Sequence, residues 1–238
     1  MSDWNSEVKA VQLSDQKVEA DVSAVFDIII DGGIAIVPLD VAYAIIGHTE
    51  SALKSIFAAK RRSLDKPSGM FASLNYSIDL HDLTEDKREI QHALINEFNF
   101  PFSTVAPFNE NHPLLRDVDE YVIDTSSKSG TLDMLLNAGQ FHDGLANLCY
   151  ERNKPAFGSS ANISLTGSKF KVADIEPELI EVADIIIDHG TSKYANPEGL
   201  SSTIIDFRDF TVIRYGCCYP ELEAIFKEKF SIELRAQL

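Results

Sequence analysis

The chain has 238 residues, 45% of them hydrophobic, and a formal net charge of −16 at pH 7. Its length and apolar content suit one sizeable α/β core, and its acidity argues against broad nucleic-acid binding, which needs an array of lysines and arginines. Its three cysteines lack disulfide or metal-binding spacing, and no apolar run is long enough for a membrane span, so we expect a soluble, cytoplasmic protein.

Helices and strands are predicted to alternate along the chain. Apolar residues at helical spacing follow Ser14, a favourable helix cap, and predict a helix over 14–31. The apolar run at 34–38 predicts a buried strand, and helical spacing returns over 50–62. We predict further strands at 121–125, 183–190, 201–207 and 210–216, and helices at 86–98, 132–150 and 220–229. This alternation predicts a mixed α/β sheet.

No linker or charge run divides the chain, so we expect one main domain. The predicted bounds are an N-terminal extension at 1–13, the domain at 14–218 and a C-terminal helical tail at 219–238. Segment 99–117 carries three prolines and no periodic pattern, which predicts a long ordered loop that could act as a lid.

Three adjacent cations, Lys60, Arg61 and Arg62, end the helix predicted at 50–62. They could form a solvated helix C-terminus, where positive charge meets the helix dipole favourably. Alternatively they could clamp a phosphate group, because lysine supplies a point charge and arginine a planar fork. Charge alone does not decide between the two interpretations.

Two other polar groupings could contact a ligand. The segment 158–162, "GSSAN", is either an ordinary turn or a place where small polar residues approach a phosphate or ribose. Ser202 and Thr203 open one predicted strand and Arg214 ends the next, so a hairpin would bring them to the same rim of the sheet. Otherwise Arg214 is a surface cation at a strand end.

Taken in order, six stretches resemble the YrdC-like family of threonylcarbamoyl-AMP synthases. They are "DGGIAIVPLDVAYAIIG", "AAKRRSLDKP", "SSANIS", "ADIIIDHG", "SSTIID" and "IRYG". The resemblance implies an α/β fold, a YrdC-like twisted mixed sheet with flanking helices around a basic concave cavity that binds ATP. It also implies condensation of L-threonine, bicarbonate and ATP to threonylcarbamoyl-AMP, with release of pyrophosphate, for the tRNA modification threonylcarbamoyladenosine.

The resemblance assigns residues to the nucleotide side of the site. The family's Lys-x-Arg, Ser-x-Asn, Ser-Thr and late arginine motifs fall on Lys60 and Arg62, Ser160 and Asn162, Ser202 and Thr203, and Arg214. Lys60 and Arg62 would also act in catalysis. The implied cofactors are ATP and Mg²⁺ bridging phosphate oxygens, with no separate protein metal site. The expected partners are ATP and a small amino-acid or carbamoyl substrate, without direct tRNA binding or a membrane.

The sequence departs from the family on the amino-acid side. Leu39 and Val41 stand where the family has threonines, and the family's Val-Gly-Val-Arg strand has no clear match in 127–140. We therefore expect ATP handling to be retained and threonine to be a poor substrate, unless Ser103, Thr104 or Ser129 makes the missing contacts. The alternatives are a divergent enzyme with another carbamoyl or amine substrate, and a non-catalytic nucleotide-binding paralogue.

Overall fold

The computed structural model describes residues 14–236. In that range the α-helices are α1 (Asp15–Ile30), α2 (Glu50–Ala59), α3 (Leu74–Leu80), α4 (Glu85–Asn96), α5 (Glu120–Ser126), α6 (Gln140–Arg152), α7 (Pro177–Ile180) and α8 (Tyr219–Phe230). The strands are β1 (Ala35–Val37), β2 (Ala44–Gly47), β3 (Gly69–Phe71), β4 (Phe102–Pro107), β5 (Ser127–Lys128), β6 (Thr131–Leu136), β7 (Ala156–Ser160), β8 (Ile185–Ile186), β9 (Ile204–Asp206), β10 (Thr211–Arg214) and β11 (Arg235–Ala236).

The strands join in one mixed sheet. Their order is β11-β10-β9-β4-β6-β3-β7-β2-β1-β8, and β5 pairs with β6 beside this path. Strand β6 lies in the middle, antiparallel to β4 and parallel to β3. The predicted fold class, a twisted mixed α/β sheet with flanking helices, is therefore confirmed.

The two faces of β6 have different environments because successive side chains in a strand point in opposite directions. Leu132, Met134 and Leu136 have no exposed surface and pack into the main hydrophobic core. The residues between them are less buried. One face of the sheet is thus fully covered, and the other is open to a ligand.

Several elements agree with the sequence predictions. The helix predicted at 14–31 is α1, and the Oγ of its cap Ser14 accepts a hydrogen bond from the Lys17 amide at 3.3 Å. Helix α2 begins as predicted but ends at Ala59, because the chain turns at Arg61, whose φ is +49°. The predictions at 34–38, 86–98, 183–190, 201–207, 210–216 and 220–229 correspond to β1, α4, β8, β9, β10 and α8.

The prediction of a long loop, and with it a lid, at 99–117 is wrong. The segment contains β4, which lies between β6 and β9 in the sheet. Prolines stand just before and at the end of this strand, and the polar Ser103 and Thr104 interrupt its apolar pattern. Thr104 is nevertheless buried, because its Oγ1 accepts a hydrogen bond from Gln91 Nε2 at 3.1 Å. Tertiary partners satisfy polar groups that made the segment resemble a loop.

The strand predicted at 121–125 is also wrong, because this segment belongs to helix α5. Its buried residues, Val122, Thr125 and Ser126, follow the spacing i, i+3, i+4 of a helix face. The threonine Oγ1 donates a hydrogen bond to the Tyr121 carbonyl at 2.7 Å, one turn back. A β-branched residue therefore fits the helix despite its strand propensity.

The single helix predicted at 132–150 is replaced by strand β6 followed by helix α6. A turn separates them, with φ of +54° at Asn137 and +106° at Gly139. A Cβ atom on Gly139 would lie 2.4 Å from Asp40 Oδ1, so both the backbone angle and the close approach require glycine. Apolar and polar residues do not alternate along β6, because Asp133 is the only residue that interrupts its apolar run.

The predicted domain bounds remain predictions. The N-terminal extension at 1–13 lies outside the described residues. Helix α8, in the predicted C-terminal tail, packs Leu222 and Phe226 into the main core. The Phe226 ring meets Phe207 edge to face with a centroid distance of 6.2 Å. In the described part of the chain, no helix has the length and hydropathy needed to cross a membrane.

Candidate functional site

A cavity of about 880 Å³ lies over the open face of the sheet. Alternate residues of the central strands form its floor: Ser103 and Val105 from β4, Thr131, Asp133 and Leu135 from β6, and Gly69 and Phe71 from β3. The floor continues onto β9 and β7. Its size is in the usual range for a small-molecule or cofactor site.

The structure brings six of the seven predicted site residues to this cavity. They are Lys60, Arg62, Ser160, Asn162, Ser202 and Arg214. Thr203 is buried instead, where its Oγ1 donates to the Cys217 carbonyl at 3.0 Å and accepts from the Gly216 amide at 3.1 Å. The shared cavity makes a common ligand for the six residues geometrically feasible, while their individual roles remain predictions.

The end of α2 separates the three adjacent cations. Lys60 is the C-cap residue, and the left-handed conformation of Arg61 directs the chain away from the helix. Arg61 is exposed and forms an ion pair with Glu178 at 3.4 Å. Lys60 and Arg62 line the cavity. Arg61 therefore corresponds to the interpretation as a solvated helix end, whereas Lys60 and Arg62 correspond to the interpretation as a ligand-facing pair.

Lys60 is almost fully buried, with a relative exposure of 1%. Its Nζ donates a hydrogen bond to the Asn162 carbonyl at 2.6 Å and another to the Ser160 carbonyl. An ammonium group has three donors, so one remains available to a ligand. Burial, followed by the neighbouring Arg62 charge, lowers the Lys60 pKa to about 7. Lys60 therefore positions the Ser160–Asn162 turn as well as facing the cavity.

Two guanidinium groups converge on the cavity from distant parts of the chain. Arg62 donates from Nε to the Lys66 carbonyl at 2.9 Å and from Nη2 to the Pro67 carbonyl at 2.6 Å. Arg214 donates from Nε and Nη2 to the Ser202 carbonyl at 3.1 and 2.8 Å. Burial and then the Arg214 charge lower the pKa of Arg62, as expected for two nearby like charges.

Lys60, Arg62 and Arg214 form what we term the cationic wall. Among residues 14–236, none of the three forms an ion pair with a carboxylate. By contrast Arg208, which also lines the cavity, pairs with Asp206 at 2.6 Å. Charges removed from water are stable only when they are paired, so the cationic wall suits an anionic ligand.

The Ser160 and Asn162 side chains form a compact polar edge at the end of β7. Ser160 Oγ donates to Asn162 Oδ1 at 2.5 Å, and Asn162 Nδ2 donates to the Ile163 carbonyl at 2.6 Å. On the opposite side, Ser202 Oγ lies 3.2 Å from Ser103 Oγ. These hydroxyl and amide groups offer uncharged contacts beside the cationic wall.

Sequence reasoning missed Asp133, which lies in the middle of the floor. Its Oδ1 is buried and has no hydrogen-bond partner among residues 14–236. Burial raises the pKa of Asp133 to about 6, and the attraction of Arg214 only partly offsets that effect. A single acid within the apolar run "TLDMLL" could have marked a strand with one polar face, had the segment not been taken as helix.

The structure also places the residues that depart from the family. Leu39 lines the cavity, whereas Val41 is 1% exposed and belongs to the hydrophobic core. Of the three proposed substitutes, Ser103 and Ser129 line the cavity, and Thr104 faces the core side. Of the two positions where the family has threonines, only Leu39 therefore lies at the cavity wall.

The family model Sua5/YciO/YrdC, described as "Telomere recombination", matches residues 27–216. This match spans most of the chain and includes the six predicted site residues that line the cavity. The chain therefore belongs to the Sua5/YciO/YrdC family, as the motifs predict.

Solved structures show the same fold at low sequence identity. Sua5 from P. abyssi in complex with L-threonine has a TM-score of 0.68 at 22% identity, covering 95% of this chain and 60% of that one. A hypothetical protein from Streptococcus mutans UA159 has a TM-score of 0.75 at 18% identity, covering 89% and 93%. E. coli YciO has a TM-score of 0.62 at 17% identity, covering 87% and 93%. The chain thus spans about 60% of the length of P. abyssi Sua5.

Proposed function

We propose that this protein is an ATP-dependent nucleotidyltransferase that forms a carbamoyl-adenylate in the cavity. Its finer assignment is synthesis of L-threonylcarbamoyl-AMP from threonine, bicarbonate and ATP, for tRNA threonylcarbamoyladenosine. Family membership and the likeness to a Sua5 solved with L-threonine support this proposal. The observation that carries it is the cationic wall, three cations around one cavity that have no carboxylate partner among residues 14–236.

The composition of the cationic wall fits a triphosphate. Two guanidinium groups and one ammonium approach from both sides of the floor, and each retains donors beyond those bound to backbone carbonyls. Carbonyl hydrogen bonds fix these groups in place without neutralising them. A pre-positioned cation loses little side-chain entropy when phosphate oxygens arrive, which favours binding.

The proposed step transfers the adenylyl group. A carbamoyl oxygen attacks the α-phosphorus of ATP, and the bond from that phosphorus to the bridging oxygen of pyrophosphate breaks. Negative charge on the reacting phosphate increases in the transition state, where Lys60 and Arg62 would stabilise it. Ser160, Asn162, Ser202 and Arg214 would orient the nucleotide.

Mg²⁺ would reach this site with the nucleotide. Bound to phosphate oxygens, the ion would neutralise charge during displacement. Within the part of the chain that the structure describes, no group of three or more His, Cys, Asp or Glu side chains could hold a metal. A nucleotide-borne ion fits that donor set better than a dedicated protein site does.

The expected partners are ATP and a small amino-acid or carbamoyl compound. Direct tRNA binding is not part of the proposal, because a net charge of −16 would repel the phosphate backbone. The adenylate would pass to a separate enzyme that modifies tRNA.

Mass spectrometry of reaction products tests the proposal. The protein is incubated with ATP, Mg²⁺, bicarbonate and each member of an amino-acid panel, and separately with carbamoyl phosphate. We expect an adenylate adduct with one co-substrate, together with pyrophosphate, and neither product with Arg62→Ala. ATP binding without an adduct in any mixture would instead support a non-catalytic nucleotide-binding protein.

A further inference from the structure

Strand β6 presents an unusual set of side chains to the cavity. Its cavity-facing positions are Thr131, Asp133 and Leu135, a hydroxyl, a carboxylate and an aliphatic group. None is a cation, although β6 occupies the centre of the floor. Any ligand group resting on this strand meets an acceptor and an apolar surface, and not a positive charge.

One oxygen of the Asp133 carboxylate, Oδ1, lacks a hydrogen-bond partner among residues 14–236, although the Ser103 side chain acts on the carboxylate by hydrogen bonding. The carboxylate forms no ion pair with any residue of 14–236. The arginines on either side already donate to carbonyls, Arg62 to Lys66 and Pro67, and Arg214 to Ser202. A buried acceptor without a donor is unfavourable unless a ligand supplies that donor.

There is space for a donor beside this carboxylate. The neighbouring position on β3 is Gly69, where even a Cβ atom would lie 3.5 Å from Asp133 Oδ2. Glycine leaves that volume open to the cavity, which both residues line. The adjacent Leu135 adds an apolar wall suited to an aliphatic part of the same ligand.

We propose that Asp133 is the specificity-determining residue of the co-substrate half of the cavity, selecting a compound that presents an amino or amide N–H group and bears no free carboxylate. The inference rests on the carbamoyl-adenylate chemistry of the proposed function, in which the cationic wall holds ATP, and it replaces threonine with a carboxylate-free co-substrate. An N–H group beside the carbamoyl carbon would donate to Asp133 and leave the carbamoyl oxygen free to face the α-phosphate. A carboxylate at the same place would meet the like charge of Asp133, while the nearby Arg62 and Arg214 already donate to backbone carbonyls and would face the phosphates.

Two matched compounds test this selection. L-Threoninamide differs from L-threonine only in carrying a neutral amide in place of the carboxylate. The full chain is saturated with α,β-methylene-ATP, which cannot release pyrophosphate, and each compound is titrated by calorimetry. Both compounds carry the amino N–H group, so the difference between them measures the repulsion of the carboxylate by Asp133. We expect about tenfold tighter binding of the amide, a difference of about 1.4 kcal/mol.

Two variants separate a specific role from a general charge effect. Asp133→Asn should reduce the preference for the amide to about twofold or less, because the ionic acceptor and its repulsion of carboxylates are both lost. Asp209→Asn removes the same charge from an acid that also lines the cavity but is half-exposed and pairs with Arg235 at 3.7 Å. This control should keep the wild-type preference. Thermal unfolding of each variant verifies that it is folded.

Three results would overturn the proposal: equal or tighter binding of threonine by the wild type, an unchanged preference in Asp133→Asn, or no binding of either compound. Failure of the ATP analogue to bind would count against the proposed function and not against Asp133. In that case the same titrations are run without nucleotide and judged by the same criteria.

Discussion

The cationic wall and strand β6 enclose the same cavity but are built differently. The wall side chains come from a helix end and a strand end, and backbone carbonyls hold each of them. On β6, one oxygen of the Asp133 carboxylate has no hydrogen-bond partner in the described part of the chain. The wall is thus organised before a ligand binds, whereas β6 leaves a hydrogen bond to be completed. In the proposed function, this difference would separate a nucleotide half from a co-substrate half of the cavity.

The largest expected effect is on the wall. Arg62→Ala should weaken binding of an ATP analogue about tenfold to a hundredfold, because each charge-assisted hydrogen bond contributes roughly 1.5–3 kcal/mol. Isothermal titration calorimetry measures it. The matched control is Arg61→Ala, since Arg61 is exposed and pairs with Glu178. If both variants bound the analogue with the affinity of the wild type, the cationic wall would have no role in nucleotide binding.

The next effect concerns β6 and stability. The Asp133 pKa of about 6 in the folded protein exceeds its unfolded value near 3.8, so the native state holds the proton more tightly. The contribution of Asp133 to the free energy of unfolding therefore falls as pH rises from about 4 to 6, and then stays level. Asp133→Asn, which cannot ionise, should be more stable near pH 7.5 by at most about 3 kcal/mol, or about 6 °C, with little change near pH 4.

Calorimetric melting at the two pH values checks this stability prediction. Arg62 and Arg214 are the charges that act on Asp133, and both remain in the variant. A variant less stable than the wild type near pH 7.5 would show that the carboxylate stabilises the fold. Asp133 would then contribute to the stability of the fold, and its contrast with the cationic wall would not reflect ligand binding.

A smaller effect distinguishes Lys60 from the arginines. Its pKa of about 7 leaves much of it neutral near pH 7.5. Triphosphate binding should raise that pKa and draw in roughly half a proton or more. Calorimetry in buffers of different ionisation enthalpy measures the uptake, which should shrink near pH 6 and vanish in Lys60→Met. Uptake that persists in this variant would assign the proton to another group.

The smallest expected effect is that of Ser202→Ala. Arg214 would lose the hydrogen bond from Nη2 to Ser202 Oγ at 3.1 Å but keep two to the Ser202 carbonyl. Because Arg214 keeps its two bonds to the carbonyl, loss of this one should cost about 1 kcal/mol, and affinity for the ATP analogue should fall by about fivefold. A loss as large as that of Arg62→Ala would mean that the hydroxyl itself contacts the nucleotide.

Much of the nucleotide side could be predicted from the sequence because its residues lie in short motifs next to strong local patterns. Ser160 and Asn162 follow a glycine-containing apolar stretch, and Lys60 and Arg62 follow a helix with clear periodicity. Segment 132–150 offered no such pattern, since a buried strand and a buried helix both read as apolar runs. Asp133 was therefore assigned to a helix and not considered for the site.

The sequence by itself determined much of the alternation of helices and strands, the family and the positions of the motif residues. Local periodicity and motif order carry that information, because they depend only on neighbouring residues. Only the tertiary structure decided that β4 and β6 form the floor and that Arg61 faces away while Lys60 faces inward. It also decided that Asp133 Oδ1 lies near two arginines without a hydrogen-bond partner among residues 14–236. These features depend on pairing between segments distant in sequence, and on burial that changes what a polar residue can do.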